Sequence, residues 1–182
     1  MRIGTAVGSS CASADAASAK ARLLKPTKPE EEDPNIAEAL RLASEGRQVV
    51  VVSSGDPGVF AMASAVFEAL EDAPQWHDLP IRVLPGVTAM LAAAARVGAP
   101  LGHDFCAINL SDNLKPWSLI EKRLRLAAEA DFAIAMYNPR SASRPEGFAR
   151  TLEILNDAGC GERIVIFARA VSTPDQQIET VE

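Results

Sequence analysis

Cysteine is scarce in this chain, and its placement is uninformative for cross-linking. Cys11, Cys106 and Cys160 are far apart and odd in number, so they provide neither a disulfide framework nor zinc-ligand spacing. They fit a reducing, cytoplasmic setting. Positive charge is also short: 18 Lys and Arg stand against 24 Asp and Glu, a net charge of −6 that argues against general nucleic-acid binding. No apolar run approaches the roughly 18 residues of a membrane span, so no membrane partner is expected. No apolar segment follows Arg2, which argues against a signal peptide. Asp15 and the acidic cluster Glu30–Asp33 count against a transit peptide. Two common phosphate-binding fingerprints, G-x-G-x-x-G and G-x-x-x-x-G-K-[ST], are missing, as is any Ser-His-Asp set. His77 and His103 have no carboxylate or cysteine neighbours at metal spacing, so solvent-facing or structural roles are expected and no metal is assigned.

What is present is a core-forming chain, 48% apolar over 182 residues, enough for one ordinary domain or two small ones. Residues 1–33 are Ala- and Ser-rich and then Pro- and Glu-rich, and read as a mobile arm or linker. Beyond them strands and helices alternate. Asp33 and Pro34 open a helix that Gly46 ends, with Ile36, Leu40 and Ala43 as its stripe. Gln48–Ser53 is a strand whose consecutive valines suggest burial on both faces, and Val59–Leu70 is a helix. A strand at Ile81–Leu84 and a helix at Met90–Val97 follow. The Gly- and Pro-bearing stretch Val97–Phe105 marks a domain boundary, giving an amino-terminal domain at 34–102 and a carboxy-terminal domain at 103–182. The second domain reads as strand Cys106–Leu110, helix Trp117–Glu129, strand Phe132–Tyr137, helix Pro145–Ala158 and strand Arg163–Ala168. This alternation predicts an α/β fold with parallel strands and right-handed crossovers.

Ligands in open α/β sheets bind outside the carboxyl ends of strands. Four predicted strands end in unusual loops: Ser54–Gly58, Pro85–Ala89, Tyr137–Arg140 and Ala168–Val171. In the first two, glycine lets the backbone approach a ligand, and the next helix offers N–H groups to a carboxylate or phosphate. Asp56 adds an acceptor for an ammonium or a ribose hydroxyl. Taken singly, a Gly-Asp-Pro is ordinarily a turn whose Asp caps the next helix. Tyr137, Trp76 and Trp117 are ordinarily packing residues. The residues alone lead to an α/β chain with a ligand cleft.

The segments "SSGDPGVFAMASAVFE", "VLPGVTAMLAAAARVGAPLGHDFCAINLSDNLKPWSLIEKRL", "YNPRSASRP" and "ARAVSTPDQQI" together resemble the tetrapyrrole methylase family, from Ile36 to Glu182. Within it they are most similar to the ring-contracting C17 methylases of cobalamin biosynthesis. The resemblance implies a two-domain α/β enzyme, commonly a homodimer, with S-adenosylmethionine folded in the cleft between domains. It implies that Gly55, Asp56, Pro57, Gly58 and Val59 meet the methionine end of that cofactor. Thr88, Ala89, Tyr137, Asn138, Ala170 and Val171 would line the adenosine pocket. The implied substrate is precorrin-3B, a polycarboxylate tetrapyrrole, methylated at C17 with ring contraction. Lys115, Arg140, Arg144 and Arg169 lie on or beside the loops and are the candidate contacts for its carboxylates. No catalyst of ring contraction is assignable.

The chain departs from the family pattern at both ends. The family opens with a strand ending in Gly-Pro-Gly-Asp, which is absent here, and continues beyond a segment like "QQIETVE". Both ends therefore read as truncated, and the amino-terminal sheet is expected to lack its central strand. Two further readings stand beside the methylase: a non-catalytic remnant that binds S-adenosylmethionine or a partner chain, and another tetrapyrrole methylase, including relatives that act on ribosomal RNA. The "NLSDNLKPW" and "YNPRS" segments and the acidic balance speak against RNA.

Overall fold

The computed structural model describes residues 2–5, 34–113, 115–139 and 145–181, and these group into two compact units, Met1–Val87 and Thr88–Glu182. The sequence reading placed its division later, after residue 102.

The first unit contains β1 (Arg2–Thr5), α1 (Pro34–Ser44), β2 (Val50–Ser53), α2 (Met62–Glu71), a short 3-10 turn at Pro74–Trp76, and β3 (Arg82–Val83). Its sheet runs in the order β2-β1-β3 with every pairing parallel; Arg2 faces both Val50 and Arg82. This corrects two expectations. Residues 1–33 are not uniformly an arm, since Arg2–Thr5 is a strand, and the centre of the sheet is filled by that strand. Four residues suffice because the stabilisation is a backbone ladder on both sides, which needs no long apolar run. The rest of the expected arm, with the Asp33 cap, lies outside the described residues.

α1 forms where Ile36, Ala39 and Leu40 repeat at helical spacing, and all three are buried. It ends at Gly46, whose φ of 81° lets Gly46 and Arg47 return their N–H groups to Ala43 and Leu42. The α1 stripe packs with Ala63, Val66 and Leu70 of α2 and with Val51 of β2. Among the described residues, only one face of β2 is covered. Val51 and Ser53 are buried, whereas Val50 and Val52 are 59% and 55% exposed. The expectation of a strand buried on both faces is therefore corrected: the valines meet helices on one side alone among the described residues. α2 also begins later than expected, because Phe60 sits at φ 52° and keeps Val59–Ala61 out of the helix.

The second unit contains α3 (Ala89–Ala94), β4 (Phe105–Asn109), α4 (Trp117–Glu129), β5 (Ala133–Tyr137), α5 (Gly147–Asp157), β6 (Val165–Arg169) and β7 (Gln177–Val181). β4 and β5 pair in parallel from Phe105–Ala133 to Asn109–Tyr137, joined by α4. Ile120, Leu124 and Ala127 form one buried stripe on α4 and meet Ile108, Leu110 and Ile154. β6 and β7 pair antiparallel from Val165–Val181 to Arg169–Gln177, a hairpin that the sequence reading lacked. Phe148 of α5 meets Phe167 of β6 edge-on at 5.6 Å. Arg163 ties the approach to β6 back to β5 by donating to the Phe132 carbonyl and the Asp131 carboxylate.

Candidate functional site

In the first unit the two glycine loops leave the carboxyl ends of β2 and β3. Gly55 has φ 70°, the left-handed region where a side chain is strained. Pro57 is fully buried, and its carbonyl accepts the N–H of Ala63 at 2.9 Å, which seats the loop on the first turn of α2. Asp56 does not act as a side-chain cap of that helix. Its Oδ1 accepts from Gly58 N at 2.8 Å and its Oδ2 from Gly86 N at 2.9 Å. The Gly86 bond first, and then the Gly58 bond, holds the Asp56 carboxyl below the usual carboxylate range. One side chain thus joins both loops.

In the second unit the corresponding focus is Tyr137, the last residue of β5. Its hydroxyl lies 2.5 Å from Thr88 Oγ1 and accepts from Met90 N at 3.0 Å. Thr88 is the residue before α3 and makes no side-chain cap of its own, so Tyr137 satisfies an N–H of the first helical turn from outside. The phenol thus acts through its oxygen. Asn138 follows at φ 52°, a conformation asparagine tolerates better than most side chains. Its Nδ2 donates to Asn109 Oδ1 at 3.1 Å, and that oxygen also accepts from Ser111 N at 2.9 Å. Leu110 N donates to the Tyr137 carbonyl, and Lys115 Nζ donates to the Ser111 carbonyl at 2.8 Å. The ends of β4 and β5 are consequently one hydrogen-bonded cluster.

The structure brings Thr88, Ala89, Tyr137, Asn138 and Lys115 into this second cluster or beside it, and Gly55 through Val59 into the first. Ala170 and Val171 lie in the β6–β7 turn, where Ala170 has φ 49° and accepts from Thr173. Arg169 closes β6 opposite Gln177 and is exposed. Arg140 and Arg144 lie outside the described residues. Sequence reasoning missed Asn109, whose signal was an asparagine at a strand end two positions before Ser111-Asp112, and Gly86 as the partner of Asp56. The Nε2 of His77 meets the Leu70 carbonyl at 2.7 Å. Trp76 and Trp117 pack on the two cores, Trp117 with the Arg150 guanidinium 4.8 Å above its ring. No group of three metal-ligating side chains occurs among the described residues, and no described helix is long and apolar enough to cross a membrane.

Comparison with known proteins matches residues 9–182 to the tetrapyrrole (corrin/porphyrin) methylases. The chain is 57% identical over 141 residues to a precorrin-3B C(17)-methyltransferase of Sinorhizobium, a match covering 77% of this chain and 56% of that protein. It is 50% identical over 117 residues to a probable cobalt-factor III C(17)-methyltransferase of Salmonella typhimurium, covering 64% of this chain and 48% of that one. The chain therefore spans about half the length of these curated relatives. Among solved structures, the methyltransferase CobJ superposes with a TM-score of 0.82 at 61% identity, over 91% of this chain and 70% of its own. On its sequence and its α/β fold alike, the chain belongs to the tetrapyrrole methylase family.

Proposed function

We propose that this chain binds S-adenosylmethionine and serves methyl transfer to C17 of precorrin-3B, with contraction of the macrocycle, in corrin assembly. The observation that carries this reading is the pair of glycine loops at the carboxyl ends of parallel β2 and β3, joined by Asp56, in a chain so similar to a precorrin-3B C(17)-methyltransferase.

The residues suit such a cofactor. S-adenosylmethionine carries a sulfonium and an ammonium, and neither Ser54–Val59 nor Pro85–Ala89 contains Lys or Arg. The carboxylate between these loops stays ionised at neutral pH, because its two N–H partners favour the charged form. Gly55, at positive φ and without a Cβ, leaves its backbone open to close approach. Gly55, Asp56, Pro57, Gly58 and Val59 would hold the methionine end. Thr88, Ala89, Tyr137, Asn138, Ala170 and Val171 would hold the adenosine. When bound, the cofactor supplies an electrophilic methyl group. The protein's own task is alignment, which supplies on the order of several kcal/mol or more in such reactions. Lys115, Arg140, Arg144 and Arg169 are the proposed partners of the substrate carboxylates. A homodimer in the cytoplasm completes the reading.

Two measurements test it. Calorimetric titration with S-adenosylhomocysteine should show saturable binding to the wild-type chain. Transfer of a labelled methyl group should then be followed with precorrin-3B and, separately, with its cobalt-bearing counterpart, since the relatives' names divide between the two. Absence of binding overturns the cofactor assignment. Binding without transfer to either acceptor would favour a chain that binds the cofactor but does not turn over.

A further inference from the structure

We propose that Asp56 is a positioning residue, a brace that locks the Gly55–Val59 loop to the Pro85–Val87 loop so that both backbones meet the cofactor as one preset surface. The inference rests on the cofactor reading above and concerns how that site is held.

The sheet order makes the brace necessary. β2 and β3 do not pair with each other, because β1 lies between them. With neighbouring strands about 4.8 Å apart, the loops following β2 and β3 start roughly two strand spacings apart. No ladder of backbone hydrogen bonds can join them across that gap. Asp56 spans it with a single side chain: one oxygen stays on its own loop at Gly58 N and the other crosses to Gly86 N, thirty positions along the chain. Pro57, fully buried beside it, fixes the loop from which the carboxylate projects.

Gly58 carries independent geometric support. A Cβ built on Gly58 would lie 3.2 Å from Asp56 Oδ1, so the absence of a side chain there leaves the space that the carboxylate occupies. Gly58 has no positive φ to explain its identity. Its smallness serves the brace. A carboxylate already accepting from an N–H on each oxygen is also better suited to hold protein backbone than to act as the principal ligand contact.

The test uses the full chain and three variants, Asp56→Asn, Asp56→Ala and Gly58→Ala. Asp56→Asn keeps one amide oxygen as an acceptor and turns an N–H donor toward the other backbone N–H. Gly58→Ala crowds the carboxylate without removing charge. For each, affinity for S-adenosylhomocysteine is measured by calorimetry and exchange of the Gly86 amide by NMR in the absence of ligand. All three should exchange at Gly86 faster than wild type, by about tenfold or more for Asp56→Ala, and should bind more weakly by a similar factor. A fall in affinity for Asp56→Asn with Gly86 exchange unchanged would make Asp56 a direct ligand contact and overturn the proposal. Faster exchange with unchanged affinity would overturn the positioning role while leaving the cofactor reading intact. A wild-type chain that does not bind S-adenosylhomocysteine removes the cofactor reading, and the positioning role with it.

Discussion

Replacing Tyr137 with Phe isolates the contribution of one oxygen atom. In the wild type that oxygen accepts from Met90 N at 3.0 Å and hydrogen-bonds with Thr88 Oγ1 at 2.5 Å, and Thr88 is only 4% exposed. Phe keeps the ring and removes both bonds. Leaving a buried donor or acceptor unsatisfied costs about 1–3 kcal/mol, and the Thr88 hydroxyl can rotate toward another acceptor. The expected loss is therefore about 1–3 kcal/mol in all, and each kcal/mol lowers the midpoint of a chain this size by about 2–4 °C. Thermal unfolding of Tyr137→Phe, Thr88→Val and the double variant forms a closed cycle. Because the two hydroxyls touch, the double variant should be less destabilised than the sum of the singles by about 0.5 kcal/mol or more. Amide exchange at Met90 should accelerate in Tyr137→Phe and far less in Thr88→Val. Additive single effects, or a Tyr137→Phe chain as stable as wild type, would refute the view that this phenol caps α3.

Three other outcomes are expected. Leu124→Ala, at a fully buried position on α4, should destabilise by about 2–5 kcal/mol in a denaturant titration, whereas Leu126→Ala on the exposed side of the same helix should cost far less. Deleting Met1–Thr5 should lower the thermal midpoint and speed exchange at the alternate amides of Val50–Ser53 that face it, because it removes the strand that pairs with both β2 and β3; an unchanged midpoint would show that the sheet does not depend on it. Asp56, with its folded value depressed, contributes stability that is fully present above about pH 4 and is lost as pH falls through the folded value. Wild type should therefore lose its advantage over Asp56→Asn only in that acidic window, and a stability difference independent of pH would contradict the two N–H bonds to the carboxylate.

Local periodicity made the helices legible. Trp117–Glu129 was readable to the residue because Ile120, Leu124 and Ala127 fall on one face, and Gly46 announced the end of α1. β1 was illegible for the opposite reason. Arg-Ile-Gly-Thr carries no pattern, and its stabilisation comes from two partners in distant sequence. β7 escaped notice because its turn uses Ala170 and Ser172 at positive φ, where glycine or asparagine would have been the visible signal. The exposure of Val50 and Val52 could not be read either, since a run of valines does not say how many faces are covered. At the candidate site, the glycine loops stood out by composition. Their fastenings did not: Asp56 reaches Gly86 across 30 positions and Tyr137 reaches Thr88 across 49.

Those fastenings share one chemical feature. Asp56 holds Gly58 N and Gly86 N, Tyr137 holds Met90 N, Asn109 holds Ser111 N, and Lys115 holds the Ser111 carbonyl. In each case the side chain grips backbone. If the cofactor is met by backbone groups in turn, side-chain identity matters most one step removed from it. Positions proposed to line the adenosine, such as Ala89 and Val171, should then tolerate any side chain that respects their backbone conformation and the available space. Positions that hold the loops should not: Asp56, Tyr137 and Asn109 each satisfy two partners with one functional group, and a side chain without an acceptor oxygen at that reach loses both. This division also explains why the chain lacks the familiar fingerprints. A phosphate loop advertises itself through glycines and a lysine that touch the ligand, whereas here the informative residues are polar side chains turned toward the protein itself.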